Sequence, residues 1–158
     1  MLYYFILHSH FYTNPIPLPV GLSMGVMDVG WGNGYVLIPP GHTFHGKNYD
    51  NIEAFVHGGL TFGSMYKGWN QLKKYKDSGF KYQMDEELSK RIKKEGYKFL
   101  DNYWCIGFDT AHFGDDLTTC PKEYVWNETQ ILYKLCFDAD IKTIRRAKLN
   151  KIKNKDVR

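Results

Sequence analysis

The sequence predicts a single α+β domain with a mixed or antiparallel sheet and two to three helices, one of them C-terminal. Three observations carry this expectation. The 158 residues match the size of one domain and suffice to bury most of the surface an unfolded chain exposes. Hydrophobic residues at 43% and charged residues at 24% are the balance of a globular protein, too apolar for a disordered chain. Short strand-like runs are separated by Gly and Pro, and helical spacing is confined to two later segments.

Residues 2–7 (Leu-Tyr-Tyr-Phe-Ile-Leu) are strand formers, and Asn14-Pro15-Ile16-Pro17-Leu18-Pro19 ends that element in an extended, non-helical connection. The same apolar run lacks a basic leader and is far too short to span a membrane. Tyr35-Val36-Leu37-Ile38 reads as a buried strand stopped by Pro39-Pro40-Gly41. Residues 52–57 read as another, stopped by Gly58-Gly59.

From Met84, residues Leu88, Ile92 and Phe99 fall near one helical face. Glu86/Lys90 and Glu87/Arg91 are spaced to pair across a turn, and Gly96 marks the expected end. Tyr103-Trp104-Cys105-Ile106 is the next strand. Thr118, Thr119 and Pro121 then announce a helix on which Val125, Thr129, Leu132 and Cys136 recur at spacings of four, three and four. Asp138-Ala139-Asp140 is a point of expected interruption before a basic continuation.

The division that follows is residues 1–140 as the α+β domain and residues 141–158 as a basic helical or frayed tail. That tail holds eight Lys/Arg and one Asp, leaving 13 Lys/Arg against 16 Asp/Glu elsewhere, so it carries +7 and the body −3. A solvated helix end is the favoured reading of this charge, with contact to nucleic acid or another polyanion as the alternative. Cys105, Cys120 and Cys136 form no short metal-binding pair and leave an odd thiol after any one disulfide, which points to a reducing, cytoplasmic setting.

Three segments carry chemistry-bearing residues. In Gly41-His42-Thr43-Phe44-His45-Gly46-Lys47-Asn48-Tyr49-Asp50, the residues His42, Lys47 and Tyr49 offer proton transfer, charge and hydrogen bonds around permissive glycines. In Val56-His57-Gly58-Gly59-Leu60-Thr61-Phe62, a histidine followed by two glycines is suited to present a ring and consecutive N–H groups to a phosphate or oxyanion. In Gly107-Phe108-Asp109-Thr110-Ala111-His112-Phe113-Gly114-Asp115-Asp116, Asp109 is spaced to orient the His112 imidazole for acid–base work. A structural reading stands beside each: Tyr49 bracing a loop, His57 bonded within a turn, Asp109 and His112 in an ordinary hydrogen-bond network.

The joint occurrence of these three segments resembles a group of small proteins frequent in bacteriophages and prophages. The likeness covers roughly residues 31–136, including Glu128-Thr129, and identifies a group but no activity. It implies a phage accessory protein that counters host defence, including by binding or cleaving a nucleotide signal. The proline-rich start, the stretch around residues 65–100 and the basic tail depart from it.

The leading expectation is therefore a phosphodiesterase-like hydrolase acting on a nucleotide or cyclic nucleotide, with His57, Asp109 and His112 as catalytic residues. His42, Lys47, Tyr49, Gly58, Gly59, Thr61, Trp104 and Asp115 are the expected ligand contacts. A nucleotide-sequestering protein without catalysis is the alternative, and a protein–protein inhibitor using its aromatic surface is a third. Metal-free chemistry is favoured; a divalent ion, if present, would be held by His57, Asp109, His112 and Asp115, with His42 a further candidate. No phosphate-binding Gly-x-x-x-x-Gly-Lys-Ser/Thr loop, Gly-x-Ser-x-Gly elbow, His-Glu-x-x-His helix or repeated His-x-Ser/Thr pattern occurs.

Overall fold

Among the described residues, five short strands pair into one antiparallel sheet with a helix against each face. The computed structural model describes residues 1–8, 29–66, 77, 79 and 81–153. In chain order the elements are β1 (Tyr3–His8), β2 (Gly32–Ile38), β3 (Phe62–Tyr66), β4 (Tyr82–Met84), α1 (Glu86–Glu95), β5 (Tyr103–Phe108) and α2 (Lys122–Lys153). The sheet order is β3-β5-β2-β1-β4. The proline-rich stretch at residues 14–19 lies outside the described residues.

Alternation along the strands sorts the core into two layers, because successive side chains leave a strand on opposite faces. Ile6, Val36, Ile38, Ile106 and Phe108 meet Val125, Leu132 and Cys136 of α2 on one face. Tyr3, Phe5, Leu37, Tyr103 and Cys105 meet Leu88 of α1 and Leu100 on the other. With both faces covered, residues 2–7 and 35–38 are apolar throughout instead of alternating. Leu132 is fully buried, and burial of one such side chain stabilises the fold by about 1.5–3 kcal/mol.

Helix α1 begins where the Asp85 carboxylate accepts the Leu88 N–H at 2.9 Å and ends at Gly96, whose φ is +73°. The other Asp85 oxygen accepts the Tyr4 N–H at 2.8 Å and ties the helix to β1. Lys90 pairs with Glu86 at 2.7 Å as the spacing predicts. Arg91 bonds Glu95 in place of the predicted Glu87, since its side chain runs over Phe99 and donates to the Tyr3 hydroxyl at 2.7 Å.

Two expectations are corrected. Residues 52–57 form no strand; Ile52 and Val56 are buried from an irregular segment, and the place beside β5 is taken by Phe62–Tyr66. Nor does α2 break at Asp138-Ala139-Asp140. It runs unbroken for 32 residues, with Lys134 and Asp138 paired across that stretch at 3.1 Å. At a rise of about 1.5 Å per residue this is a rod of about 48 Å. Among the described residues no helix is long and apolar enough to cross a membrane.

Candidate functional site

The antiparallel pairing of β3 with β5 puts the start of one strand beside the end of the other. Phe62 stands opposite Gly107, and the Thr61 N–H donates to the Gly107 carbonyl at 3.0 Å. The loop entering β3, with His57, and the loop leaving β5, with His112, therefore share one end of the sheet. Their rings lie 5.2 Å apart between centroids.

Local chemistry fixes each loop. The Thr110 hydroxyl donates to the Gly32 carbonyl at 2.8 Å, which holds the β5 exit against β2. The Asp116 carboxylate accepts both the Thr118 and Thr119 N–H groups at 2.7 Å, a turn that delivers Cys120 and Pro121 to the start of α2. From that helix Tyr124 and Glu128, four apart, reach the His57 loop. The Glu128 carboxylate accepts the His57 N–H at 2.7 Å.

Asp115 is the centre of the arrangement. Its Oδ2 lies 2.9 Å from His57 Nε2 and 3.3 Å from His112 Nδ1, and it accepts the His112 N–H at 2.8 Å. Its Oδ1 accepts the Cys120 thiol at 3.6 Å. Burial alone would raise this carboxyl, but the His112 N–H and the two rings outweigh it and hold Asp115 below the ordinary carboxylate range.

An ionised Asp115 only accepts, so both facing ring nitrogens carry protons. His57 Nδ1 then accepts the Tyr124 hydroxyl at 3.0 Å. Burial, with Glu128 and Asp115 nearby, pushes that phenol upward and keeps it a donor. The chain of bonds runs from Tyr124 through His57 to Asp115, and from His112 to the same carboxylate. In the neutral ring this makes His112 Nε2 the acceptor, with no partner among the described residues, on a side chain 39% exposed.

The Gly58 backbone lies against that free edge. Its φ is +63°, and a Cβ there would collide with Cε1 and Nε2 of the His112 ring. Phe55 and Phe113, two residues before His57 and one after His112, are fully exposed or nearly so.

Asp109 sits 4.0 Å from His112 Nδ1 and instead accepts the Ala111 N–H at 3.0 Å, so Asp115 is the carboxylate that orients His112. The Gly59 N–H donates to the Val56 carbonyl at 2.9 Å. Tyr49 packs over Gly63 in β3, and Lys47 lies over the Phe44 ring. Trp104 pairs with Met65 toward the far end of β5, its indole Nε1 buried and without a partner among the described residues.

His42 is buried away from the pair. Its Nδ1 accepts the Phe44 N–H at 2.9 Å, so the Nε2 proton goes to the Cys136 carbonyl at 3.0 Å. Cys136 is 12 residues along α2 from Tyr124, about 18 Å at the helical rise. Burial lowers the His42 imidazole below its ordinary 6.5. The folded state holds the neutral ring, so its contribution is complete above pH 6.5 and is lost as pH falls from there through the folded value. Calorimetric Tm should decline as buffers step down from pH 6.5, and His42→Gln should flatten that step. Asp115 adds a loss of the same sign at lower pH, while Asp85, raised by burial, acts oppositely in the carboxylate range.

Sequence reasoning missed Cys120 and Tyr124 as site residues. Tyr124 and Glu128 each precede a core residue, Val125 and Thr129, and the signal was this second i,i+4 stripe beside the buried one. Among the described residues, His57, Asp115 and Cys120 are the group whose nitrogen, oxygen and sulfur atoms lie within 4.8 Å of one another. Burial, reinforced by Asp115 and Asp116, pushes the Cys120 thiol up. The fold and site thus define an α+β protein with a carboxylate-centred histidine pair at one sheet end. Comparison with protein-family models, curated proteins and solved structures returns no match to this chain.

Proposed function

We propose that this protein hydrolyses a phosphodiester bond in a nucleotide or cyclic nucleotide, with His112 as the base. The observation that carries the reading is the free Nε2 of His112, whose opposite nitrogen is anchored on an ionised carboxylate. Such an anchor fixes the tautomer and stabilises the imidazolium that forms on proton transfer.

Water gives a proton to His112 Nε2 as its oxygen attacks phosphorus. The bond from phosphorus to the leaving oxygen breaks, and that oxygen takes the proton back from the His112 imidazolium, which returns the base to its starting form. His57, with both nitrogens engaged, is a positioning residue that holds Asp115 between Tyr124 and His112. The exposed rings of Phe55 and Phe113 offer faces on which a base can stack. The setting suggested by the likeness to phage proteins, removal of a host nucleotide signal, belongs to the same proposal.

Purified protein incubated with a panel of cyclic mono- and dinucleotides, followed by chromatography, tests this. The expected outcome is a cleaved product with the natural protein and none with His112→Ala. Intact nucleotide across the panel would sink it.

One observation favours sequestration without cleavage as a second reading. The His57 and Gly59 N–H groups, suited to hold an oxyanion, are already bonded to Glu128 and Val56. With those donors occupied the turn gives little oxyanion stabilisation, while the exposed Phe55 and Phe113 rings still offer base-stacking surface for binding alone. Nucleotide bound one to one and recovered unchanged after heat denaturation would select this reading over hydrolysis.

A further inference from the structure

We infer that His57, Asp115 and Cys120 form a three-ligand site for a borderline divalent transition-metal ion, zinc first among them. This goes beyond the hydrolytic reading and stands whether or not a phosphodiester is cleaved. The three residues come from the loop entering β3, the loop leaving β5 and the start of α2. The fold therefore brings the His57 nitrogen, from 58 residues away, to an oxygen and a sulfur donor five residues apart, all within 4.8 Å.

The spacing suits a tetrahedral ion. Zinc bonds of about 2.0–2.3 Å separate neighbouring ligand atoms by about 3.3–3.8 Å. Asp115 Oδ2 lies 2.9 Å from His57 Nε2 and Oδ1 lies 3.6 Å from Cys120 Sγ, and with one atom from each residue the set spans no more than 4.8 Å, so adjustments of about an ångström close it. Both contacts are hydrogen bonds whose protons occupy the space a cation would take. Binding sends the thiol proton to solvent and places the imidazole proton on Nδ1 instead of Nε2. There it faces the Tyr124 oxygen at 3.0 Å, the outer partner a metal-bound imidazole requires. The His112 N–H already holds Asp115 at 2.8 Å, which orients the carboxylate.

The donor set also selects the ion. A thiolate with an imidazole favours zinc or cobalt over magnesium or calcium, which prefer oxygen alone. Cys120 takes the place the sequence suggested for Asp109, whose carboxylate is turned to the Ala111 N–H. The remaining cysteines sit in the two cores, Cys136 on α2 packed toward the sheet and Cys105 on β5 on the α1 side, apart from this cluster.

The test is titration of the metal-stripped full chain with Co(II), followed by displacement with Zn(II) and elemental analysis. The expected result is one ion per chain, with a near-ultraviolet thiolate-to-cobalt band and the intense visible bands of four-coordinate cobalt. Cys120→Ser should lose the thiolate band and bind at least about tenfold more weakly, and Asp115→Asn should weaken binding similarly. Cadmium NMR on the natural chain counts sulfur donors without any variant, and one is expected. Absence of stoichiometric binding, a thiolate band that survives in Cys120→Ser, or a cadmium signal without exactly one sulfur would overturn the assignment. These readouts contain no substrate, so they succeed or fail independently of hydrolysis.

Discussion

Replacing His112 by Ala should lower phosphodiester turnover by about 10²–10⁴-fold, the usual worth of a positioned acid–base group, with little change in folding. The side chain is 39% exposed and belongs to neither hydrophobic core, so its removal leaves both cores intact. Asp115→Asn should cost activity to a similar degree but destabilise as well. An amide there presents a donor toward groups that already donate, the His57 ring and the His112 N–H, and an unmet buried donor costs about 1–3 kcal/mol. Asp109→Asn should be far milder, because the Asp109 carboxylate stands 4.0 Å from His112 Nδ1. Steady-state kinetics on the three variants, beside their urea midpoints, separates the roles. Equal losses in Asp109→Asn and Asp115→Asn would contradict the assignment of Asp115 as the orienting carboxylate.

The elements legible in the sequence are those with a strong local signature. Residues 2–7 and 35–38 are apolar throughout because both sheet faces are covered. The start of α2 is marked by Pro121, and its buried stripe Val125, Thr129, Leu132 and Cys136 by spacing. Strand β3 was not legible: Phe62-Gly63-Ser64-Met65-Tyr66 lies at the sheet edge, and of its residues only Tyr66 is buried. Its apolar pattern is therefore lost, and the more apolar residues 52–57 took its place in the reading. Continuity of α2 past Asp138 was hidden for a different reason. Asp is a poor helix former, but one i,i+4 pair with Lys134 and the absence of Gly or Pro suffice to carry the helix through. The meeting of His57 with His112 depends on the β3–β5 register, which no local pattern encodes. Cys120 and Tyr124 join the site only because α2 crosses that end of the sheet.

The contact that sets the position of α2 gives the second large effect, which is on the fold itself. Gly34 in β2 has no side chain, and the helix lies directly on its backbone. A Cβ there would run into the Thr129 hydroxyl and stand 2.5 Å from the Phe108 ring. Gly34→Val adds three carbons at this point, so α2 must lift or Phe108 must leave its place, at a cost of about 1–3 kcal/mol or more. Phe108 and Thr129 are both almost completely buried, which leaves neither an easy alternative. Because Tyr124 and Glu128 ride on the same helix, the shift also loosens their bonds to His57. The variant should therefore unfold at lower urea and lose site chemistry together, unlike His112→Ala, which loses the second alone. Thr129→Ala removes the nearest obstructing atom, so the double variant Gly34→Val/Thr129→Ala should regain part of the loss as a favourable coupling in a double-mutant cycle. Strict additivity of the two substitutions would mean that α2 does not rest on β2 at Gly34, and the placement of the whole site would need to be redrawn.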